Sequence, residues 1–270
     1  MKDILQTIVA YKREEIRQRK EAMPLPALRE RVETQEERKS YSMRQALETS
    51  PTGIIAEFKR KSPSKGWLHP DAKVDEVLPA YAKNGASACS ILTDAPFFGG
   101  TPADLREARR QVDLPLLRKD FLLDEYQLYE ARLFGADAVL LIASILSPAE
   151  CRSLAEKAHA LGLETLLEIH REEELAYLNP EIDMLGVNNR NLGTFHTDIA
   201  NAKGIIPAIH SYLDRVRLTP LVIAESGIRE PSSVKQLRNI GYRGFLIGET
   251  FMKEESPGVA LSKFVQEMNL

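Results

Sequence analysis

Five short apolar stretches each end in side chains that can hold a charge or move a proton. They are Ile54-Ile55-Ala56-Glu57-Phe58-Lys59, Leu116-Leu117-Arg118-Lys119-Asp120-Phe121, a stretch ending at Glu168, one running through Asn188 to Arg190, and one ending at Glu225. Alternation with a period of two puts Ile55, Glu57 and Lys59 on one face, and likewise Leu117, Lys119 and Phe121. Leu166 with Glu168, Asn188 with Arg190, and Ile223 with Glu225 fall the same way. A single Lys or Glu at a strand end is as often a solvated side chain or an ion pair as a reacting group. Five at matching positions favour acid/base chemistry. A lysine crowded by other cations in a low dielectric has its pKa drawn toward the working range, and a nearby glutamate complements it as acid or base.

Two glycine turns carry a second signal, Ala224-Glu225-Ser226-Gly227-Ile228 and Leu246-Ile247-Gly248-Glu249-Thr250. Glycine lets the backbone approach a ligand closely. A pair of such turns at matching positions favours phosphate bound through backbone N–H groups over two plain tight turns. Glu249 would repel an anion, so contact there is expected from the backbone. The histidines His69, His159, His170, His196 and His210 are scattered, and only His170 lies just past a strand end. No Cys/His spacing resembles a zinc site, and no metal is assigned. Trp67, in the loop after the first stretch, suits a lid or wall as well as ordinary packing.

The elements that must position these groups follow a regular rhythm. Strand-like runs cover Gly53–Lys59, Ala88–Thr93, Pro115–Phe121, Ala138–Ala143, Glu164–Ile169, Met184–Asn188, Leu221–Glu225 and Gly244–Gly248. Helix-like segments cover Val74–Asn84, Pro102–Gln111, Asp124–Phe134, Pro148–Leu161, Glu172–Leu178, Ala200–Leu213, Pro231–Ile240 and Pro257–Met268. Glycines at 85, 135, 162 and 241 mark helix ends. About eight strand–helix units imply parallel strands with right-handed crossovers, and a closed (β/α)8 TIM barrel is the simplest architecture. An open doubly wound sheet competes, but it would carry a Gly-rich loop where this chain has Lys59-Arg60-Lys61-Ser62. In a barrel, the reacting groups stand at the C-terminal strand ends. Residues 1–47 read as a helical extension, with Leu5, Ile8, Val9 and Ile16 near one face and Lys12, Arg13, Glu14 and Arg17 elsewhere, interrupted by Pro24 and Pro26. Residues 48–270 read as the barrel.

Composition excludes several classes. The 270 residues are 43% hydrophobic and 28% charged, which suits a globular core rather than disorder. With 36 Lys+Arg against 39 Asp+Glu the net charge is −3, no general reason to bind nucleic acid or an anionic membrane surface. No apolar run approaches the roughly 20 residues of a membrane helix. The start lacks a signal-peptide pattern, and two cysteines, Cys89 and Cys151, suit a reducing cytoplasm.

The motifs together resemble the indole-3-glycerol phosphate synthase family. They are Glu57-Phe58-Lys59-Arg60-Lys61-Ser62-Pro63-Ser64, Leu92-Thr93 with Phe97-Phe98-Gly99-Gly100, Lys119-Asp120-Phe121, Leu167-Glu168-Ile169, Asn188-Asn189-Arg190-Asn191-Leu192, Ala224-Glu225-Ser226-Gly227-Ile228 and Leu246-Ile247-Gly248. The resemblance covers nearly the whole chain and is to the monofunctional form, without a fused isomerase barrel. It implies a step of tryptophan biosynthesis, in which 1-(2-carboxyphenylamino)-1-deoxyribulose 5-phosphate becomes indole-3-glycerol phosphate, carbon dioxide and water. It implies no cofactor and no metal. By resemblance Lys119 is the general acid at the substrate carbonyl, and Glu168 is a second acid/base group. Glu57 and Lys59 bind and orient substrate, with Lys59 near the carboxylate that is lost. Asn188 and Arg190 match groups around the anthranilate and the ribulose hydroxyls, and Glu225 and Ser226 match further pocket residues. Ser62, Gly227, Gly248 and Glu249 match the phosphate site, where some members have Ser at the last position. Phe98, Phe121 and Leu140 match the wall holding the aromatic ring. The implied partners are the phosphorylated substrate and other tryptophan-pathway enzymes, with neither nucleic acid nor membrane. Two other readings of the barrel stand beside this one. One is a Schiff-base aldolase with Lys119 as the imine-forming residue, and the other is a non-catalytic phosphosugar-binding barrel.

Overall fold

The computed structural model of the chain describes residues 4–36, 38–190 and 197–268. Asn191 and Leu192 of the Asn188 motif, and His196, lie outside the described residues. Eight parallel strands close into a barrel. They are β1 (Ile54–Phe58), β2 (Ala88–Leu92), β3 (Leu116–Lys119), β4 (Ala138–Ile142), β5 (Glu164–Ile169), β6 (Met184–Asn188), β7 (Leu221–Glu225) and β8 (Gly244–Ile247). Each strand pairs with its neighbours in sequence, and β8 closes on β1 with Ile55 opposite Leu246. The helices in chain order are α1 (Ile4–Ala22), α2 (Leu25–Glu33), α3 (Met43–Thr49), α4 (Val74–Lys83), α5 (Ala95–Phe98), α6 (Pro102–Gln111), α7 (Glu125–Phe134), α8 (Pro148–Ala160), α9 (Ala200–Val216), α10 (Pro231–Asn239), α11 (Glu249–Met252) and α12 (Pro257–Glu267).

Alternation along each strand divides two cores. Ile55, Leu117, Leu140, Leu166, Met184, Ile223 and Leu246 point into the barrel and pack together. Ile54, Ala56, Phe58, Ile91, Val139 and Leu167 point outward against the helices. Burial on both faces explains why these strands are apolar throughout rather than half polar. Side chains fill the interior, so chemistry has room only where the strands end.

The first three helices treat the two ends of the barrel differently. Met43 and Leu47 of α3 join the interior cluster and floor the barrel beside the strand starts. Glu164, at the start of β5, accepts the Met43 and Arg44 backbone N–H groups at 2.6 and 3.0 Å, satisfying the exposed donors of that helix start. Leu28 of α2 packs on Tyr126 and Tyr129 of α7. Ile4, Leu5 and Ile8 of α1 border the opposite, open end.

Two expectations change. Lys12 lies on the buried face of α1, between Ile8 and Ile16, and is 1% exposed. Its ammonium sits 3.0 Å from Asp94 and 2.9 Å from Asp120, and these carboxylates make burial of the cation tolerable. The helix expected over Glu172–Leu178 is a 3-10 helix, Glu172–Tyr177.

Candidate active site

The carboxyl ends of the strands surround one pocket. Every site residue named from the sequence lines it except Ser62. Ser62 is buried just outside, and its hydroxyl accepts the Lys65 N–H at 3.2 Å, while the adjacent Pro63 faces the pocket.

Lys119 ends β3 and stands among carboxylates. Its Nζ donates to Glu168 Oε2 at 2.8 Å and lies 3.4 Å from Glu225 Oε2. Burial alone would discharge the ammonium, but Glu168, Glu225 and Glu57 outweigh it and hold the pKa above the ordinary lysine range. Its neighbours are carboxylates rather than the cations that would lower it. A lysine held protonated starts in the charged form that a general acid needs, and is a poor imine-forming nucleophile.

The two glutamates beside Lys119 are driven in opposite directions. Burial raises both. At Glu168 the charges of Lys119 and His170, with hydrogen bonds from Lys119 and Asn188, reverse this and bring its pKa well below the usual carboxylate range. At Glu225 burial and the neighbouring Glu168 carboxylate prevail over Lys119, and its pKa is raised. Among the described residues, the Glu225 carboxyl has no hydrogen-bond donor apart from its contacts with that pair. The pair therefore titrates as a unit in which Glu168 is the ionised member and Glu225 the one that takes up a proton.

Across the mouth Lys59 Nζ donates to Glu57 Oε1 at 2.5 Å. Arg190, just past β6, ties three loops together. It donates to Thr197 Oγ1 at 3.2 Å, to Ser64 Oγ at 3.3 Å and to Glu249 Oε2 at 3.2 Å. Phe98 and Phe121 face one another with ring centroids 6.2 Å apart, and Leu140 lines the same pocket. Ser226 has φ 65° and Gly227 φ 77°, so the chain turns in the left-handed region for two residues after β7. A serine there is strained by about 1–2 kcal/mol. Thr250 Oγ1 donates to Ile228 O at 2.8 Å and joins this turn to the one after β8.

The pocket also includes residues that sequence reasoning missed. Ile4, Leu5 and Ile8 reach it from α1, and Arg229 and Lys253 stand on the side of the two glycine turns. The apolar face of α1 was readable, but nothing local says which part of the molecule a helix face covers. Among the described residues, no group of three or more His, Cys, Asp or Glu side chains is arranged to hold a metal ion.

Residues 5–264 match the family model described as indole-3-glycerol phosphate synthase. A protein of that name from Bacteroides thetaiotaomicron is 53% identical over 266 residues, covering 98% of this chain and 99% of its own. One from Azoarcus sp. is 42% identical, covering 97% of this chain and 98% of its own. Among solved structures, a mutant tryptophan synthase α-subunit from Pyrococcus furiosus overlays with a TM-score of 0.60 at 16% identity, covering 81% of this chain and 98% of that one. At that identity the likeness speaks for the barrel fold alone.

Proposed function

The chain belongs to the indole-3-glycerol phosphate synthase family, and from that premise we propose which of its side chains carry the reaction. The enzyme is a carboxy-lyase of tryptophan biosynthesis. It closes 1-(2-carboxyphenylamino)-1-deoxyribulose 5-phosphate into indole-3-glycerol phosphate, with loss of carbon dioxide and water.

Lys119 is the general acid. The ring carbon bearing the carboxylate attacks the ribulose carbonyl carbon, and Lys119 gives its proton to the carbonyl oxygen as the carbon–carbon bond forms. Loss of carbon dioxide returns the electron pair to the ring. Dehydration then needs a proton on the departing hydroxyl and removal of one from the methylene beside nitrogen. Glu168, ionised and 2.8 Å from Lys119, is the second acid/base group for these transfers. Asn188 holds Glu168 by a hydrogen bond. The Glu57–Lys59 pair orients the substrate, with Lys59 toward the carboxylate that leaves. Phe98, Phe121 and Leu140 press the aromatic ring toward the carbonyl, Asn188 and Arg190 engage the anthranilate and ribulose hydroxyls, and Glu225 and Ser226 complete the pocket. The backbone at Ser226, Gly227, Gly248 and Glu249 takes the phosphate, with Ser62 joining from the first loop, and this remote anchor supplies binding energy for the folded substrate.

The observation that carries this assignment is Lys119 at the barrel mouth, 2.8 Å from the ionised Glu168 and 3.4 Å from Glu225. The test is indole fluorescence when purified protein meets the substrate. Folded protein that produces none overturns it.

We propose that the enzyme works in the cytoplasm, with other tryptophan-pathway enzymes as its partners and with neither nucleic acid nor membrane as a ligand. The small net charge and two free, buried cysteines support this. Among the described residues no helix is long and apolar enough to cross a membrane. Residues 1–47 are read as an extension serving the barrel at 48–270, although α3 runs through position 47.

A further inference from the structure

Titratable side chains stand in a row across the mouth. Glu225 lies 3.4 Å from Lys119, Lys119 2.8 Å from Glu168, the His170 Nε2 3.6 Å from Glu168 Oε1, and its Nδ1 3.9 Å from Glu174 Oε2. Glu168 therefore has its two oxygens divided, Oε2 toward Lys119 and Oε1 toward His170. Among the described residues neither ring nitrogen of His170 has a hydrogen-bond partner, although both are buried. An imidazole in that condition costs stability, so its placement calls for a reason beyond packing.

The placement is fixed from several sides. Glu174, on the 3-10 helix, accepts the His170 backbone N–H at 2.7 Å and the Arg171 Nε–H at 3.2 Å. Asn201 of α9 donates to His170 O at 3.3 Å. His170 follows the last residue of β5, two residues after Glu168, and its Nε2 lies 3.6 Å from that carboxylate. The charged and titratable groups facing Glu168 are Lys119 from β3, Glu225 from β7 and His170, and Asn188 bonds it from β6. Those facing His170 are Glu168 and Glu174.

We propose that His170 is a positioning residue for Glu168, holding its carboxylate from the side opposite Lys119. The need arises from the reaction. When Lys119 gives its proton to the substrate oxygen, Glu168 loses its cationic partner while still buried. His170 remains, keeps Oε1 turned away from the amine, and preserves the geometry from which Glu168 moves the later protons. His170 does not line the pocket, so it acts through Glu168 rather than on the substrate.

This inference rests on Glu168 being an acid/base group, and the experiment separates the two. His170→Leu fills the volume without polarity, and His170→Ala removes the ring without crowding its neighbours. Both are expected to lower kcat by about tenfold with KM within about twofold, because the partner lost is a positioning one. His170→Gln, which keeps an N–H donor on the side chain, is expected to recover most of kcat. In a Glu168→Gln background, His170→Leu is expected to have no further effect, since the two losses share one route. Unchanged kcat in folded His170→Leu and His170→Ala, or losses that multiply in the double variant, overturn the proposal. Normal turnover in Glu168→Gln alone overturns the Glu168 reading instead.

Discussion

Gly186 on β6 leaves the space that the Glu225 carboxylate occupies, for a Cβ at 186 would overlap Glu225 Oε1. The same relation holds between Gly248 and Glu57 Oε1. Neither glycine has a positive φ, so close approach rather than turn conformation requires them. Gly248 thus has a structural duty to Glu57 besides the backbone contact to phosphate proposed for it.

Gly186→Ala is expected to push Glu225 toward Lys119 and Glu168. Overpacking of this kind costs about 1–3 kcal/mol. Melting temperature and kcat should therefore fall together, while Gly162→Ala serves as a strain control, since Gly162 has φ 68° with open space around it. Full activity in Gly186→Ala would show that Glu225 has room to spare.

Lys119→Met keeps the length of the side chain and removes the proton. Loss of a general acid is expected to lower kcat by about 10²- to 10⁴-fold with little change in KM. Steady-state indole fluorescence measures it, and turnover near that of the parent would remove Lys119 from the acid role. Borohydride is expected to trap no obligatory imine with substrate.

The opposed shifts at Glu168 and Glu225 make their amide variants unequal. Glu168→Gln removes an ionised group and should be severe. Glu225→Gln resembles the protonated form that burial favours, and should lose less than about tenfold near neutrality. Stability has a definite sign. The folded Glu225 pKa is raised, so wild type loses stability as pH climbs from the ordinary value of about 4.3 through the folded one. Glu225→Gln should therefore melt higher than wild type in alkali, with the gain absent in acid. A gain that is equal at all pH values contradicts the shift.

What the sequence made legible were the features that repeat locally. Alternation put Glu57, Lys119, Glu168 and Glu225 on the barrel side, the segment from Pro148 formed a helix, and Gly135 marked a helix end. Local pattern failed where the partner is remote in sequence. Lys12 looked solvated because Asp94 and Asp120, which bury it, lie more than 80 residues away. His170 looked incidental because its meaning depends on Glu168 being held by Lys119 from another strand. Gly186 gave no signal, since the side chain needing its space comes from β7. The direction of the Lys119 shift was also missed, because strand-end positions do not say which charges face one another.

Arg190→Ala removes the side chain that joins Ser64, Thr197 and Glu249. Truncating one partner of a partly buried charge pair costs about 2–5 kcal/mol, some of it from leaving the other charge unpaired. Binding of anthranilate-type ligands should weaken by at least about tenfold, read by calorimetry. Retained affinity would count against Arg190 as a substrate contact. Glu249→Gln should weaken it much less, because it frees Arg190 rather than deleting it.

Lys12→Met tests how α1 is held over the mouth. The ammonium is buried with Asp94, Asp120 and Glu15, and Arg118 and Thr93 share Asp120. Deleting one member of a buried ion cluster costs about 3–5 kcal/mol, because the carboxylates stay buried without their cation. Ile8 lies one helical turn before Lys12 and lines the pocket, so a displaced α1 should raise KM more than it lowers kcat. The pH dependence identifies the cause. Burial works to raise the Asp120 pKa, but Lys12, Arg118 and the Thr93 hydrogen bond hold it well below the ordinary carboxylate range. A depressed carboxyl stabilises the fold fully above its unfolded value, about 3.9, and that stability is lost as pH falls through the folded one. The melting gap between wild type and Lys12→Met should therefore be widest near neutrality and narrow in acid. A gap that stays constant down to the acid limit of the fold would mean that Lys12 contributes through packing of its methylenes rather than through its charge.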